Sequence, residues 1–256
     1  MPHVRPATRE EAAAVLSADP VRNFSALRVL TQWEIPTDLH VCGGSAFFRF
    51  PDPNGGAFVV LCAANEEEGT ALAALAEPGD NAFFTMDHAE GEGSAPNRPA
   101  ALLIGTQETR WHNPCVQMSL PADAVLPPSD PDVRPLDPGM ARYIHERYTM
   151  RHILGPDYIE ERIRNGPSAG LVVDGTLVGF SMTHDEGTMG VLEVLPEWRR
   201  KGVAERVSWA LCRWVREAGM IPTVHIKRGN AASMALAAKM GFVRTGDCTG
   251  FGWAAR

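Results

Sequence analysis

The chain has 256 residues, of which 45% are hydrophobic and 21% charged, and its formal net charge is −7. These values are typical of a globular protein with one large or two ordinary domains. An acidic chain lacks the broad basic face that nucleic-acid binding requires. No apolar run approaches the roughly 18 residues of a membrane span, so we expect neither nucleic acid nor membrane as a partner.

The amino-terminal segment and the cysteines favour a cytoplasmic protein without a metal. Residues 1–16 carry charges throughout and contain no apolar core of signal-peptide length. The five cysteines are odd in number and scattered, and none forms a CxxC pair. This pattern argues against a disulfide framework and a structural zinc site. The eight histidines show no HExxH spacing, so we expect no catalytic metal either.

The first half of the chain is predicted to mix helices and strands. Thr8 followed by Glu11 forms a capping box that begins a helix in "TREEAAAVLSADP". The runs "GSAFFRF" and "GAFVVLCAA" flank turn residues and predict a hairpin. A helix in "EEEGTALAALAEPG", closed by Pro78 and Gly79, and a buried strand in "PAALLIGT" follow. The mixed order indicates an α/β or α+β fold.

A proline-rich segment divides the chain near its midpoint. Residues 120–139 contain six prolines. Proline fixes φ and lacks an N–H donor, so the segment can be neither a single helix nor a central strand. We predict an extended connector between a domain at 1–130 and a second domain at 133–256.

The second half has a clearer order of elements. Two helices are predicted in "LDPGMARYIHERYTM" and "GPDYIEERIRNG", and a hairpin turns at Asp174-Gly175. The strand "TMGVLEVL" leads into a charged loop and a long helix ended by Gly219. A strand in "IPTVHIK", a helix in "NAASMALAAKMGF" and a final strand region in "FVRTGDCTGFGWAA" complete the order. The apolar face of the long helix is predicted at Val203, Val207, Ala210 or Leu211, Trp214 and Ala218.

The charged loop before the long helix has the chemistry of a phosphate site. The strand ends at Pro196, three cations follow at 199–201, and Gly202 precedes small residues at the helix start. Free N–H groups and the positive end of the helix dipole favour an anion there. Glycine lets the backbone approach the oxygens without a Cβ in the way. A Walker A loop (GxxxxGK[ST]) and a dinucleotide fingerprint (GxGxxG) are both absent.

The loop resembles a known family. "VLEVLPEWRRKGVAERV" is similar to motif A of the GCN5-related N-acetyltransferases (GNAT), R/Q-x-x-G-x-G/A, at Arg199 to Ala204. "GNAASMALAAKMGF" resembles the family's second signature, an Asn-capped helix ending in Gly-Phe. Both stretches look most like the glycine N-acyltransferase and FR47-like branch, and the resemblance covers about residues 133–256. It implies a GNAT fold with a splayed central mixed sheet there, and a degenerate GNAT-like domain at 1–130.

The resemblance also implies a cosubstrate and the residues that bind it. In the family, the pyrophosphate of acetyl-CoA or another acyl-CoA lies on the N–H groups of the motif A loop. The main chain of the strand before that loop pairs with the pantetheine arm, and the helix-capping asparagine contacts the cofactor. The residues so implied are Leu192, Val194, Arg199, Arg200, Lys201, Gly202, Val203, Ala204, Asn230 and Ser233. Asn230 also fits a plain helix cap, and Ser233 a solvent-facing residue.

The catalytic groups are less well marked by the sequence. Attack of an amine on a thioester needs a general base, and Glu193 is a lone charge in an apolar strand. A salt bridge or solvent exposure would account for it equally, and Glu186 and His184 in the preceding turn are weaker candidates. The family's acid is a tyrosine at the position of Ala237. Tyr148 or Tyr158 is a candidate substitute, and unaided departure of the thiolate is the alternative.

We therefore expect an enzyme that transfers an acyl group, acetyl before others, to a primary amine of a small molecule or amino acid. Three alternatives stay open. The first is a non-catalytic CoA-binding regulatory module, which the missing tyrosine favours, and the second is a peptide or protein N-acetyltransferase. The third is a protein that binds some other phosphorylated ligand. Monomer and homodimer are both compatible with the sequence.

Overall fold

The computed structural model describes residues 2–33, 36–51, 56–77, 80–86 and 109–253, and it has the predicted mixed α+β architecture. The elements of the first half are β1 (Arg5–Pro6), α1 (Arg9–Leu16), α2 (Phe24–Gln32), β2 (Asp38–Cys42), β3 (Ser45–Pro51), β4 (Ala57–Ala63), α3 (Glu66–Ala73), β5 (Asn81–Met86) and β6 (Thr109–Ser119). The elements of the second half are β7 (Val133–Arg134), α4 (Ala141–Arg147), α5 (Pro156–Asn165), β8 (Ser168–Val173), β9 (Thr176–Thr183), β10 (Met189–Val194), α6 (Val203–Glu217), β11 (Thr223–Lys227), α7 (Ala231–Lys239) and β12 (Val243–Trp253).

The chain divides into two compact units. The first comprises Met1–Met118, His225–Met234 and Arg244–Arg256, and the second comprises Ser119–Val224 and Ala235–Val243. The late segments belong to the first unit because β12 pairs antiparallel with β5, with Cys248 opposite Thr85. The division that the sequence predicts, into a domain at 1–130 and a domain at 133–256, remains a prediction.

The first unit is built on one eight-stranded sheet, in the order β1-β2-β3-β4-β5-β12-β6-β11. The capping box of α1 forms as predicted, because Glu11 N–H donates to Thr8 Oγ1 and Thr8 N–H to Glu11 Oε2. The predicted hairpin is the antiparallel pair β3–β4. Helices α1 and α2 pack on one buried cluster of this sheet and α3 on another. Burial on both faces explains why these strands are apolar runs without alternation.

Some sequence predictions in the first half meet the limits of the described residues. The helix in "EEEGTALAALAEPG" forms at α3, with the Asn65 side chain accepting the Glu68 N–H at 3.0 Å. Its predicted stop at Pro78 and Gly79 and the strand in "PAALLIGT" lie outside the described residues. Helix α2 and strands β1, β2, β5 and β6 were not predicted.

The second unit holds a four-stranded antiparallel sheet in the order β10-β9-β8-β7. The β8–β9 hairpin turns through Asp174 (φ 48°) and Gly175 (φ 76°), the left-handed pair that the Asp-Gly signal predicts. Helices α4 and α5 share a buried cluster with β9 and Val191. Helix α6 buries Val203, Val207 and Leu211 as predicted. Near the end of α6, Val215 is buried and Ala218 is exposed. The predicted apolar face was therefore wrong there by a fraction of a helical turn.

The proline-rich connector is extended, as predicted, and lies along α6. Arg216 donates to the carbonyls of Ala124 (2.8 Å) and Pro121 (2.6 Å). Arg206 pairs with Asp130 at 2.5 Å, which lowers the pKa of that carboxyl through the hydrogen bond. An extended segment rich in proline has few N–H groups to pair with its own carbonyls. Arg216 of α6 satisfies two of these carbonyls.

Candidate functional site

The loop between β10 and α6 presents a row of free main-chain N–H groups. Arg200 (φ 63°) and Gly202 (φ 79°) are both left-handed, and Gly202 is the N-cap of α6. The first hydrogen bond of this helix runs from Arg206 N–H to Gly202 carbonyl at 3.1 Å. Among the described residues, no acceptor pairs with the N–H groups from Arg200 to Ala204.

Space is open above this row of N–H groups. A Cβ placed on Gly202 would meet no atom within 4 Å. An anion can therefore approach the backbone closely, where the N–H groups and the helix dipole both favour negative charge. We call residues 199–204 the anion cradle. That an anion binds there remains a prediction, which the sequence makes because glycine and the cations occur at the required spacing.

The three cations of the loop have different surroundings. Arg199 donates from Nε to the Val194 carbonyl at 3.1 Å, and its Nη2 lies 3.3 Å from Glu193 Oε1. Lys201 Nζ lies 4.9 Å from the centre of the Trp198 ring, in cation–π range. In the part of the chain that the structure describes, no side-chain partner binds the Arg200 guanidinium. Arg199 thus secures the end of β10, while Arg200 is available to a ligand.

A close contact with the sheet positions the cradle. A Cβ on Gly179, in β9, would lie 2.4 Å from Val203 Cγ1, in the first turn of α6. Only glycine lets the helix start sit this close to the strand, since real Cβ atoms do not approach other atoms to that distance. A glycine inside a strand pattern is the sequence signal that could have marked this contact.

Strand β10 is an edge strand with a bulge. Gly190 pairs with Met182 and Glu193 with Phe180, so Val191 and Leu192 together oppose one residue of β9. Val191 adopts φ 51°, which is unfavourable for a β-branched residue. Bulges redirect the main chain and often lie beside functional sites. The resemblance implied a splay beside β10. In the structure, β10 is the edge strand of the four-stranded sheet, and β11 belongs to the eight-stranded sheet.

Glu193 is held by several donors. Its Oε2 accepts from Thr149 N–H at 3.0 Å and from Thr149 Oγ1 at 2.5 Å, and its Oε1 faces Arg199. The side chain is 12% exposed. The lone charge predicted from the sequence therefore has partners, as in the salt-bridged alternative. The Glu193 side chain also lines an open cavity.

Tyr148 belongs to the same neighbourhood. It caps the end of α4 and packs on the cluster shared by α4, α5 and β9. Burial and then the charge of Glu193 raise the pKa of Tyr148. The two predicted catalytic side chains are therefore brought together, and the phenol keeps its proton at neutral pH.

The turn between β9 and β10 holds a second titratable cluster. Tyr158 hydroxyl donates to Asp185 Oδ1 at 3.2 Å and lies 3.0 Å from His184 Nδ1. Thr188 Oγ1 donates to Glu186 at 2.5 Å. Burial, and then the charge of Asp185, raise the pKa of Glu186 to about 8. From the sequence, Glu186 and His184 were only weaker candidates for the general base, because turn residues are usually solvated.

His184 connects this cluster to the start of β10. Burial lowers its pKa, so the imidazole is neutral at pH 7. Because Tyr158 donates to Asp185, we assign the proton of His184 to Nδ1, which leaves Nε2 with a lone pair. A Cβ on Gly190 would lie 2.3 Å from that Nε2, so the ring packs on the strand one residue before the bulge.

The remaining predicted positions lie around α7. Asn230 is exposed, and its side chain accepts the Ser233 N–H at 3.2 Å, so it does cap this helix. Ser233 is partly buried. Ala237, which replaces the family's tyrosine, is 6% exposed. Among the described residues, no group of three His, Cys, Asp or Glu side chains could hold a metal ion, and no helix is long and apolar enough to cross a membrane.

Comparison with known proteins gives a match to part of the chain. Residues 169–249 match the family model described as FR47-like protein, a span that contains the bulge, the cradle and α7. This match supports the resemblance to the GCN5-related N-acetyltransferases over that part of the chain. A search of curated proteins found no match.

Solved structures extend the likeness in fold to the whole chain. A Drosophila protein is 17% identical with a TM-score of 0.69, and the match covers 98% of this chain and 99% of that one. A putative GNAT acetyltransferase of Novosphingobium aromaticivorans is 21% identical with a TM-score of 0.52, over 82% and 89%. A tandem GNAT protein from the clavulanic acid biosynthesis pathway is 14% identical with a TM-score of 0.52, over all of both chains. These likenesses confirm the predicted fold with two GNAT-like halves.

Proposed function

We propose that this chain is a GCN5-related N-acetyltransferase that transfers an acyl group, most simply acetyl from acetyl-CoA, to a primary amine of a small molecule or amino acid. The observation that carries the proposal is the row of free N–H groups from Arg200 to Ala204, under open space at the start of α6. A pyrophosphate fits such a row because it accepts several N–H bonds and gains from the helix dipole.

Each predicted cofactor residue has a place in this proposal. The cradle residues Arg199, Arg200, Lys201, Gly202, Val203 and Ala204 hold the pyrophosphate. Leu192 and Val194 contact the pantetheine arm through their main chain. Arg199 already occupies the Val194 carbonyl, so Leu192 inside the bulge is the stronger of the two. Asn230 and Ser233 contact the cofactor from α7.

The chemistry proposed is direct attack of the amine on the thioester carbonyl. Glu193 takes the proton from the ammonium group, and Tyr148, which stays protonated, donates a proton to the departing thiolate. Glu186 is a second candidate for the base. Its carboxyl has a pKa of about 8, so it is mostly protonated at pH 7 and acts as a base in the fraction that has lost its proton.

A second function deserves a test of its own. Ala237 is buried where the family has its acidic tyrosine, which favours a module that binds CoA and does not catalyse transfer. Two measurements separate the functions. Thiol release from acetyl-CoA over a panel of amines reports transfer, and a rise in Tm with CoA reports binding. All five cysteines are buried, so the native protein adds little to the thiol signal. Binding without thiol release would favour the module.

The cradle itself is tested by Gly202→Asp. A carboxylate over the N–H groups should repel the pyrophosphate and lower CoA affinity at least about 100-fold, by calorimetry. Gly202 is left-handed (φ 79°), a conformation that Asp adopts at lower cost than most residues, and a carboxylate is favourable at a helix N-terminus, so the fold should persist. The matched control is Gly219→Asp at the other end of α6, where φ is 73° and a Cβ also meets nothing within 4 Å. Equal CoA affinity in both variants would contradict the cradle assignment.

A further inference from the structure

One cavity of the second unit has a composition that the proposed reaction does not explain. It has a volume of about 480 Å³ and lies between the α4–α5 segment and the end of β10. Four cationic or titratable basic side chains line it, namely Arg147, Arg151, His152 and Arg199. Among the lining residues that the structure describes, Glu193 is the only acidic one. In a chain of net charge −7, such a lining is a local reversal of charge.

The acidic side chains nearby neutralise only part of this positive charge. Both oxygens of Glu193 are engaged by Thr149 and Arg199. Glu146 lies 3.8 Å from Arg147 but also pairs with Arg142 at 3.4 Å, on the exposed side of α4. The cavity therefore keeps excess positive charge.

The guanidinium groups are positioned but not saturated. Arg147 stacks on the Tyr143 ring at 3.5 Å, which holds its plane in place. Arg151 donates once, to the Glu146 carbonyl at 3.4 Å, and forms no ion pair with any described residue. His152 has no hydrogen-bond partner within the described ranges. A guanidinium with free N–H groups suits a planar or tetrahedral anion, which it can bind through two hydrogen bonds.

We propose that this cavity binds an acceptor that carries an anionic group, a carboxylate or a phosphate, in addition to its amine. Arg147 and Arg151 hold the anion, and Glu193 attracts the ammonium group at the other side of the cavity. The volume suits a small molecule and falls in the usual range for small ligands. This inference rests on the proposed transfer reaction and specifies that its acceptor carries a negative charge.

The test compares acceptors that differ only in the anion. Glycine is paired with glycinamide, and phosphoethanolamine with ethanolamine, so that the two pairs separate carboxylate from phosphate. Thiol release from acetyl-CoA gives kcat and KM for each. We expect KM to be at least about 10-fold lower for the anionic member of one pair, in line with a charge-assisted pair of hydrogen bonds. Equal constants within both pairs, or preference for the uncharged members, would overturn the proposal.

Arg151→Gln locates the effect in this cavity. The variant should raise KM for the preferred anionic acceptor about 10-fold and leave its uncharged partner and the affinity for CoA unchanged. Arg142→Gln is the matched control, because Arg142 lies on α4, is 88% exposed and does not line the cavity. Weaker CoA binding by Arg151→Gln would assign the cavity to the cofactor and overturn the proposal.

Failure of the transfer reaction gives a different pattern. If no amine releases thiol, the Tm of the CoA-saturated protein is measured with glycine and with phosphoethanolamine. A rise in wild type that Arg151→Gln abolishes supports the anion site without catalysis. No rise with either compound overturns the site as well.

Discussion

Glu186 and Glu193 are seven residues apart in the chain and face different surroundings. Glu193 accepts hydrogen bonds from Thr149 and Arg199, which fix the position of its side chain. Glu186 is partly buried beside Asp185, and its pKa is raised to about 8. A base must lose its proton before it can take one from the amine. Glu186 becomes ready only as the pH rises through 8.

Paired substitutions decide between the two bases. Glu193→Gln should lower turnover about 100-fold, the usual effect of losing a general base, and spare CoA affinity. Full activity of Glu193→Gln together with loss of activity in Glu186→Gln would move the role to Glu186. The pH dependence of kcat/KM checks this result, because Glu186 as base would give a rise near pH 8 that its variant lacks.

Stability provides a check on Glu186 that does not need activity. A folded-state pKa above the ordinary value means that the native protein binds this proton more tightly than the unfolded chain does. The contribution of Glu186 to the free energy of unfolding is therefore fully present below about pH 4.3, the ordinary pKa of a glutamate. It is lost as the pH rises towards 8. Glutamine cannot ionise, so Glu186→Gln should unfold at higher urea concentration than wild type at pH 9.

At the scale of elements, the start of α6 depends on its contact with β9. Gly179→Ala would place a methyl group 2.4 Å from Val203 Cγ1 and 3.5 Å from the Glu193 carbonyl. The first turn of α6 must move, and the cradle with it. We expect about 1–3 kcal/mol of lost stability from this overpacking, and CoA affinity at least about 10-fold weaker.

Gly170→Ala is the control for that prediction. Gly170 lies in the neighbouring strand β8, where a Cβ would meet Leu136 Cδ2 at 2.5 Å and Leu177 Cδ1 at 2.8 Å, away from α6. This variant should lose stability in urea but keep CoA affinity. If both variants bind CoA like wild type, the packing of α6 on Gly179 does not position the cradle.

For the whole molecule, the pairing of β12 makes a fragment prediction. Residues 133–256 contain the FR47-like match but lack β5, the antiparallel partner of β12. They also lack β6, which lies between β12 and β11 in the first sheet. Strands without partners expose unpaired N–H and C=O groups and apolar faces. Expressed alone, the fragment should be insoluble or give no cooperative unfolding by circular dichroism.

Co-expression with residues 1–130 is the control, since it restores both strands and should restore solubility. A fragment 133–256 that unfolds cooperatively and binds CoA by itself would contradict the prediction. It would also support the boundary that the proline-rich connector indicates.

The sequence by itself determined the features whose signals are local. The Thr8–Glu11 capping box, the Asp174-Gly175 turn and the Gly202 loop each depend on a few neighbouring residues, so their patterns were sufficient. The resemblance to the GCN5-related N-acetyltransferases also followed, and the splay of the sheet with it, because the loop and the Gly-Phe ending of α7 keep a characteristic spacing.

Only the tertiary structure decided the features that depend on distant partners. Apolar runs of similar strength do not specify which strand they pair with, so the place of β12 beside β5 was not visible. Nor does the sequence show the left-handed Val191, which follows from β9 and β10 pairing out of step by one residue. The burial that raises the pKa of Glu186 arises when Tyr158 and His184 pack on the turn, because desolvation is set by neighbours from other elements.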